Sequence, residues 1–181
     1  MNSVEIERSG VLADSEKAYF GGAYSFWERI KMSGVGSSKI VYLNGIAAFD
    51  AMNDGIENEM NFVSFEIMKN GLILRLNRTQ KLACVGVKIT EIEKIKLTAY
   101  RIVVPDPGLN RKITKIIHRG VLEITEYNGE VCSFSIFTQN FESLLKYFTK
   151  KEFSDKFEYS VSDAAPEKDF KFLLDLLERW P

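Results

Sequence analysis

Histidine is almost absent from this chain, and cysteine and proline are scarce: one His, two Cys and four Pro in 181 residues. The lone His118, in "IIHRG", leaves no histidine pair to hold a metal. It also leaves no evident base for a serine or cysteine nucleophile. It reads as an ordinary strand-end residue. Cys84 and Cys132 are too few for a disulfide framework. Each sits in a strand-like run and reads as a buried, reduced thiol. No apolar run approaches the ~18 residues of a membrane span. The opening "MNSVEIERSG" has neither the basic nor the apolar region of a secretory leader, so a cytoplasmic location is expected. The glycines of "GGAYSFW" and "SGVGSS" lack the lysine and the strand–helix context of a phosphate-binding loop, and read as hinges. Glu57/Glu59 and Glu91/Glu93 stand two residues apart, the spacing of one strand face, and read as solvated. No cofactor and no metal is expected, and the chain reads as non-enzymatic.

What is present suits a globular core. Hydrophobic residues make up 45% and charged residues 27%, with 13 Phe and 7 Tyr to fill volume and favour strands. A chain of this length buries roughly 70% of its unfolded surface, so neither metal nor disulfide is needed to fold it. The net charge of −1 conceals a strong segregation. Residues 1–68 hold 5 Lys+Arg against 10 Asp+Glu, residues 69–119 hold 12 against 3, and residues 120–181 hold 7 against 12. A basic middle therefore lies between acidic flanks.

Along the chain, residues 1–13 read as a loose lead. Asp14 is placed to cap a helix carrying Tyr19, Phe20, Ala23, Phe26, Trp27 and Ile30, an amphipathic stripe. Gly21-Gly22 interrupts it at about 1 kcal/mol per glycine, so a broken helix is expected. Ile40–Leu43 is a short strand. Residues 45–60 fit either a short helix or a loop with a turn at Asn53-Asp54-Gly55. From residue 61 the period becomes two: Val63, Phe65 and Ile67, then Leu72, Leu74 and Leu76. A two-residue turn at Asn70-Gly71 pairs Ile67 with Leu74 and Phe65 with Leu76. Two further strands are expected within 83–104, with a crossover near 90–94, and "PDPG" closes in a turn. Strand resumes at Ile113 and runs to Tyr127, with a turn or bulge at Arg119-Gly120.

In "ITEYNGEVCSFSI" a two-residue loop would set Leu122 and Ile124 against serines. A three-residue loop, Tyr127-Asn128-Gly129, sets Ile124 opposite Cys132 and Leu122 opposite Phe134, at the cost of Glu126 facing Glu130. Phe141, Leu144, Leu145 and Phe148 then mark a helix capped by Thr138 or Asn140. Such a one-sided helix must lie on the sheet before it. A last helix is expected from Pro166, with the stripe Phe170, Leu173, Leu174 and Leu177 and the bulk of Trp180. Both aromatic stripes read first as core-facing, and second as docking faces for a partner or a second copy.

The stretches "FVSFEIMKNGLILRL", "VGVKITEIEKIKL" and "GVLEITEYNGEVCSFSIFTQNFESLLKYF" together resemble the pleckstrin-homology-like superfold, and more narrowly the small bacterial pleckstrin-homology-like (PH-like) domains. The resemblance spans roughly residues 61–150. It implies an α+β protein: a bent antiparallel sheet, a partly closed PH-like barrel of about six or seven strands, capped by an amphipathic helix. Around it the expected organisation is an N-terminal extension over 1–38, the barrel with its capping helix over 39–152, and a C-terminal helix over 153–181 packed on the same domain. The resemblance implies binding of a lipid headgroup, a peptide or a protein, not catalysis. Phosphoinositide-binding members carry basic residues around a long first hairpin loop. Here that loop is Lys69-Asn70-Gly71, too short for such a pocket.

The expected function is therefore a non-enzymatic binding or scaffold module acting through protein–protein or anionic membrane-surface contact. The alternatives are a small cytoplasmic toxin-neutralising protein of the immunity type and, last, an enzyme. The candidate anion- or partner-binding patch is Arg75, Arg78, Lys81, Arg111, Lys112, Lys115 and Arg119. It would attract a membrane surface or an acidic protein. Against this stands the reading that the acidic flanks fold over it. With only Tyr100 interleaved among the basic residues, nucleic acid is not the expected partner. A homodimer through the terminal helices is a further expectation.

Overall fold

The computed structural model describes residues 1–6, 11–31, 36–37, 39–52, 61–78, 81–104 and 115–162; for residues 31, 77, 78, 81, 101–104, 115–118 and 138 only the backbone is described. It is an α+β protein dominated by one nine-stranded sheet in the order β1-β5-β4-β3-β2-β8-β7-β6-β9. The strands are β1 (Asn2–Ser3), β2 (Ile40–Asn44), β3 (Phe62–Met68), β4 (Gly71–Arg78), β5 (Lys81–Lys88), β6 (Ile92–Val104), β7 (Lys115–Glu126), β8 (Val131–Ile136) and β9 (Phe157–Ser162). The helices are α1 (Asp14–Tyr19), α2 (Phe26–Lys31), α3 (Ala47–Asp50) and α4 (Phe141–Phe148). Strands β2 to β5 form one antiparallel meander and β6 to β8 another, joined where β2 pairs with β8. The sheet does not close: among the described residues no ladder joins its two ends.

Alternation explains the core. Val63, Phe65, Ile67, Leu72, Leu74, Leu76, Val85, Val87, Ile95, Leu97, Leu122, Ile124 and Phe134 point to one side of their strands and are buried together. One cluster fed by both meanders requires the sheet to bend around it. α4 fills the concave side with Phe141, Leu144, Tyr147 and Phe148. Burying each of Phe141, Leu144 and Phe148 stabilises by roughly 1.5–3 kcal/mol. Asn140 does not cap α4; its side-chain amide instead donates to the Lys39 carbonyl at 2.7 Å.

The chain departs from the sequence reading at five further places. The described parts of the N-terminal lead, residues 1–6 and 11–13, are packed on the sheet. Asn2 and Ser3 pair with β5, while Val4 and Leu12 join Phe20, Met68, Ile73 and Cys84 in a second cluster on the outer side of β3–β5.

The first hairpin turns at Lys69-Asn70, so Ile67 faces Leu72 and Phe65 faces Leu74. The expected Asn70-Gly71 turn is displaced because Gly71 is a strand residue. A Cβ there would lie 2.3 Å from Phe20 Cδ1, so the glycine makes room for that ring.

β7 runs through Arg119-Gly120 in unbroken register with β6, without a bulge. Gly120 likewise gives space to Phe141, whose Cζ would sit 2.3 Å from an added Cβ. Residues 157–162 are not helical but form β9, parallel to β6. Finally, α4 ends at Phe148 and gives way to turns, where the sequence reading carries the capping helix to residue 152.

Asp14 lies in the first turn of α1, with Ala13 at the cap position and no side-chain cap, and the "PDPG" turn lies outside the described residues. Other expectations hold. Leu122 faces Phe134, Ile124 faces Cys132, and Gly129 takes φ +85° in the three-residue loop. The facing carboxylates Glu126 and Glu130 are bridged by the Met1 ammonium, at 2.6 and 3.2 Å. The first helix is broken at Gly21-Gly22, both at positive φ. α3 resolves the first part of 45–60 as helix, its Phe49 buried beneath Tyr42, while residues 53–60 lie outside the described residues.

Candidate functional site

The two most exposed large hydrophobic side chains of the described residues belong to α2, Trp27 at 71% and Phe26 at 69%; Ile30 of the same helix is 54% accessible, and Tyr127 of the β7–β8 loop is 66%. The α2 residues come from the stripe that reads as core-facing in the sequence. Only its first part turns inward, where Phe20 is 2% accessible. The two positive-φ glycines redirect the chain between Phe20 and α2, so the two halves of the stripe no longer share a face.

α2 is an independently started helix. The Ser25 amide donates to Glu28 Oε2 at 2.7 Å, and the Glu28 amide donates to Ser25 Oγ at 3.4 Å. This is a capping box, S-x-x-E, and it satisfies donors that a helix start leaves open. These bonds, Ser25's first and Lys69's after them, hold the Glu28 carboxyl below its ordinary range. The capping box was the overlooked sequence signal: it marks a new helix at residue 26 with its own apolar face.

The helix is tied to the sheet by its entry and its rear. Asn70 N–H donates to the Phe20 carbonyl at 2.9 Å and Lys69 N–H to the Gly22 carbonyl at 3.2 Å. Glu28 Oε1 lies 3.6 Å from Lys69 Nζ. Tyr24 donates its hydroxyl to Glu152 Oε1 at 3.1 Å, beyond α4. Burial, then the Glu152 carboxylate, push that phenol up to about 12. Arg29 Nε donates to the Tyr24 carbonyl at 2.8 Å. At about 100° per residue, positions 26, 30 and 27 occupy one sector, Arg29 borders it, and Glu28 points to the opposite side. The result is a convex apolar face with a cationic border.

Those of the basic residues singled out in the sequence that the structure describes occupy separate places. Arg75, on the outer side of β4, donates through Nε and a terminal nitrogen to Glu66 Oε2 at 3.2 and 3.0 Å. Arg119, on β7, is buried, and burial lowers its pKa. Strands β3, β2 and β8 lie between those two, on the order of 20 Å along the sheet. The backbones of Arg78 and Lys81 pair across the β4–β5 turn, and that of Lys115 pairs with Val104 at the far end of β6. Arg111 and Lys112 lie outside the described residues, as does the stripe Phe170–Trp180.

Two surface clefts accompany these features. One, of about 400 Å³, is lined by Met1, Asn2, Thr90, Glu91, Glu126, Tyr127, Asn128 and Glu130. The other, of about 370 Å³, lies between the N-terminal strand and α1 and includes Tyr19 and Phe20. Both thiols are buried on opposite sides of the sheet, Cys84 in the outer cluster and Cys132 in the core. Among the described residues no group of three or more His, Cys, Asp or Glu is placed to hold a metal, and no helix is long and apolar enough to cross a membrane. No protein-family model matches the chain, and no curated protein matches it.

Proposed function

We propose that this chain is a non-enzymatic binding module of the PH-like type, and that α2 is its contact face. Two meanders joined at one strand pair and filled by the helix that follows the last strand support the PH-like reading. The observation that carries the function is the exposure of Phe26, Trp27 and Ile30 on a helix whose other side is bonded to the protein. Two aromatic side chains and an isoleucine side by side on one helix face lose free energy in water unless something covers them. Binding energy at contacts is concentrated in such aromatic anchors.

The test compares wild type with Phe26→Ala/Trp27→Ala/Ile30→Ala, immobilised at equal density and exposed to a lysate fraction. Proteins and lipids retained by each are quantified. The expected outcome is a saturable ligand held by wild type and reduced about tenfold or more on the variant, with unchanged thermal unfolding. Equal retention of every component by both would remove α2 from the function.

A further inference from the structure

We infer that α2 docks on an anionic lipid surface, laying Phe26, Trp27 and Ile30 into the interface between headgroups and acyl chains. The inference rests on α2 being the contact face and names what that face meets. Three observations favour lipid over protein.

The first is shape. Phe26 and Trp27 are each more than two-thirds exposed on a helix that stands out from the sheet. A protein partner would have to supply a matching groove, whereas a fluid interface accommodates a convex face without one.

The second is the chemistry of the sector. Trp27 joins an apolar body to a ring N–H, which suits the boundary between headgroup and hydrocarbon.

The third is charge. Arg29 borders the apolar sector. Lys69 stands behind α2, and Lys151, with Lys150 over the Tyr147 ring, directly precedes Glu152, which accepts from Tyr24. Of the nearby acids, Glu28 is bonded to Ser25 and Lys69, and Glu152 to Tyr24. Among the described residues no carboxylate lies within ion-pair distance of Arg29 or Lys151. The Arg29 border opposes pairing α2 with α2 of a second copy, since like charges would meet.

The contact differs from a headgroup pocket in the first hairpin loop. That loop is only Lys69-Asn70, and its Lys69 is turned to Glu28.

The experiment uses the full chain with Trp180→Phe, which leaves Trp27 as the sole tryptophan of the two. It is mixed with vesicles of phosphatidylcholine alone, or of phosphatidylcholine with phosphatidylserine, at low and raised salt. Co-sedimentation and Trp27 emission are recorded. The expected result is binding that requires phosphatidylserine and falls with salt, with Trp27 emission shifted to shorter wavelength and quenched by brominated lipid. In the same background Ile30→Ser/Phe26→Ser is expected to lower the bound fraction about tenfold or more. Circular dichroism and the unfolding midpoint check that this variant remains folded. No binding to either vesicle, or binding with Trp27 emission unchanged, overturns the lipid assignment. Should the capture experiment then still show a protein ligand lost with α2, the contact face stands and its partner is a protein.

Discussion

Cys84 and Cys132 are weak acids in this fold. Burial pushes the Cys84 thiol up to about 11 and that of Cys132 to about 12. Thiolate is the reactive form, so both are expected to alkylate with iodoacetamide at neutral pH at least about a hundredfold more slowly than in urea. The raised values also set a direction for stability. The unfolded chain releases these protons near its ordinary value of about 8.5. The native chain holds them until about 11 and about 12. Their contribution is therefore complete below about pH 8.5 and is lost as the pH rises through the folded values. In urea titrations from pH 8 to 12, the fall in stability with pH is expected to be shallower for Cys84→Ala/Cys132→Ala than for wild type. Identical slopes would mean that burial does not hold these protons. The sequence indicated that both thiols are buried. It carried no sign that Gly71 and Gly120 serve the rings of Phe20 and Phe141. A glycine that makes room for a side chain far along the chain looks the same in sequence as one that makes a turn, and this is why the Asn70-Gly71 turn was misplaced.

Elements were legible where one local rule decided them. The β7–β8 loop is an example: only a three-residue loop keeps Leu122, Ile124, Cys132 and Phe134 on one face, and that is the observed register. α4 followed from its stripe for the same reason. β9 was missed, although Phe157, Tyr159 and Val161 alternate with Glu158, Ser160 and Ser162. Its partner β6 lies 62 residues earlier in the chain, as Ile95 opposite Phe157 illustrates, and no local signal reports so distant a parallel pairing. For α2 the decisive element was the Ser25–Glu28 capping box, which separates it from α1. Ser25→Ala is expected to speed exchange of the Arg29 amide, which bonds to the Ser25 carbonyl, about fivefold, and to leave the global unfolding midpoint unchanged. A large global loss instead would place α2 within the cooperative core rather than on its surface.

At the scale of the molecule, the described residues of the basic middle segment are dispersed over the sheet. Alternation places neighbouring basic residues on strands that the topology then separates, as with Arg75 on β4 and Arg119 on β7. Some of the charges are matched within the fold, Arg75 by Glu66 and Lys94 by Glu158. The candidate site came instead from an aromatic stripe that two glycines divided, one half packing on the sheet and the other facing outward. That division is the central claim, and it is open to measurement without any ligand. In the Trp180→Phe chain, quenching by acrylamide and by iodide reports the solvent access of Trp27 alone. The expected result is a long-wavelength emission quenched nearly as strongly as free tryptophan, with iodide effective because Arg29 attracts it. A short-wavelength emission resistant to both quenchers would mean that α2 is packed inside the protein, and would contradict its role as the contact face.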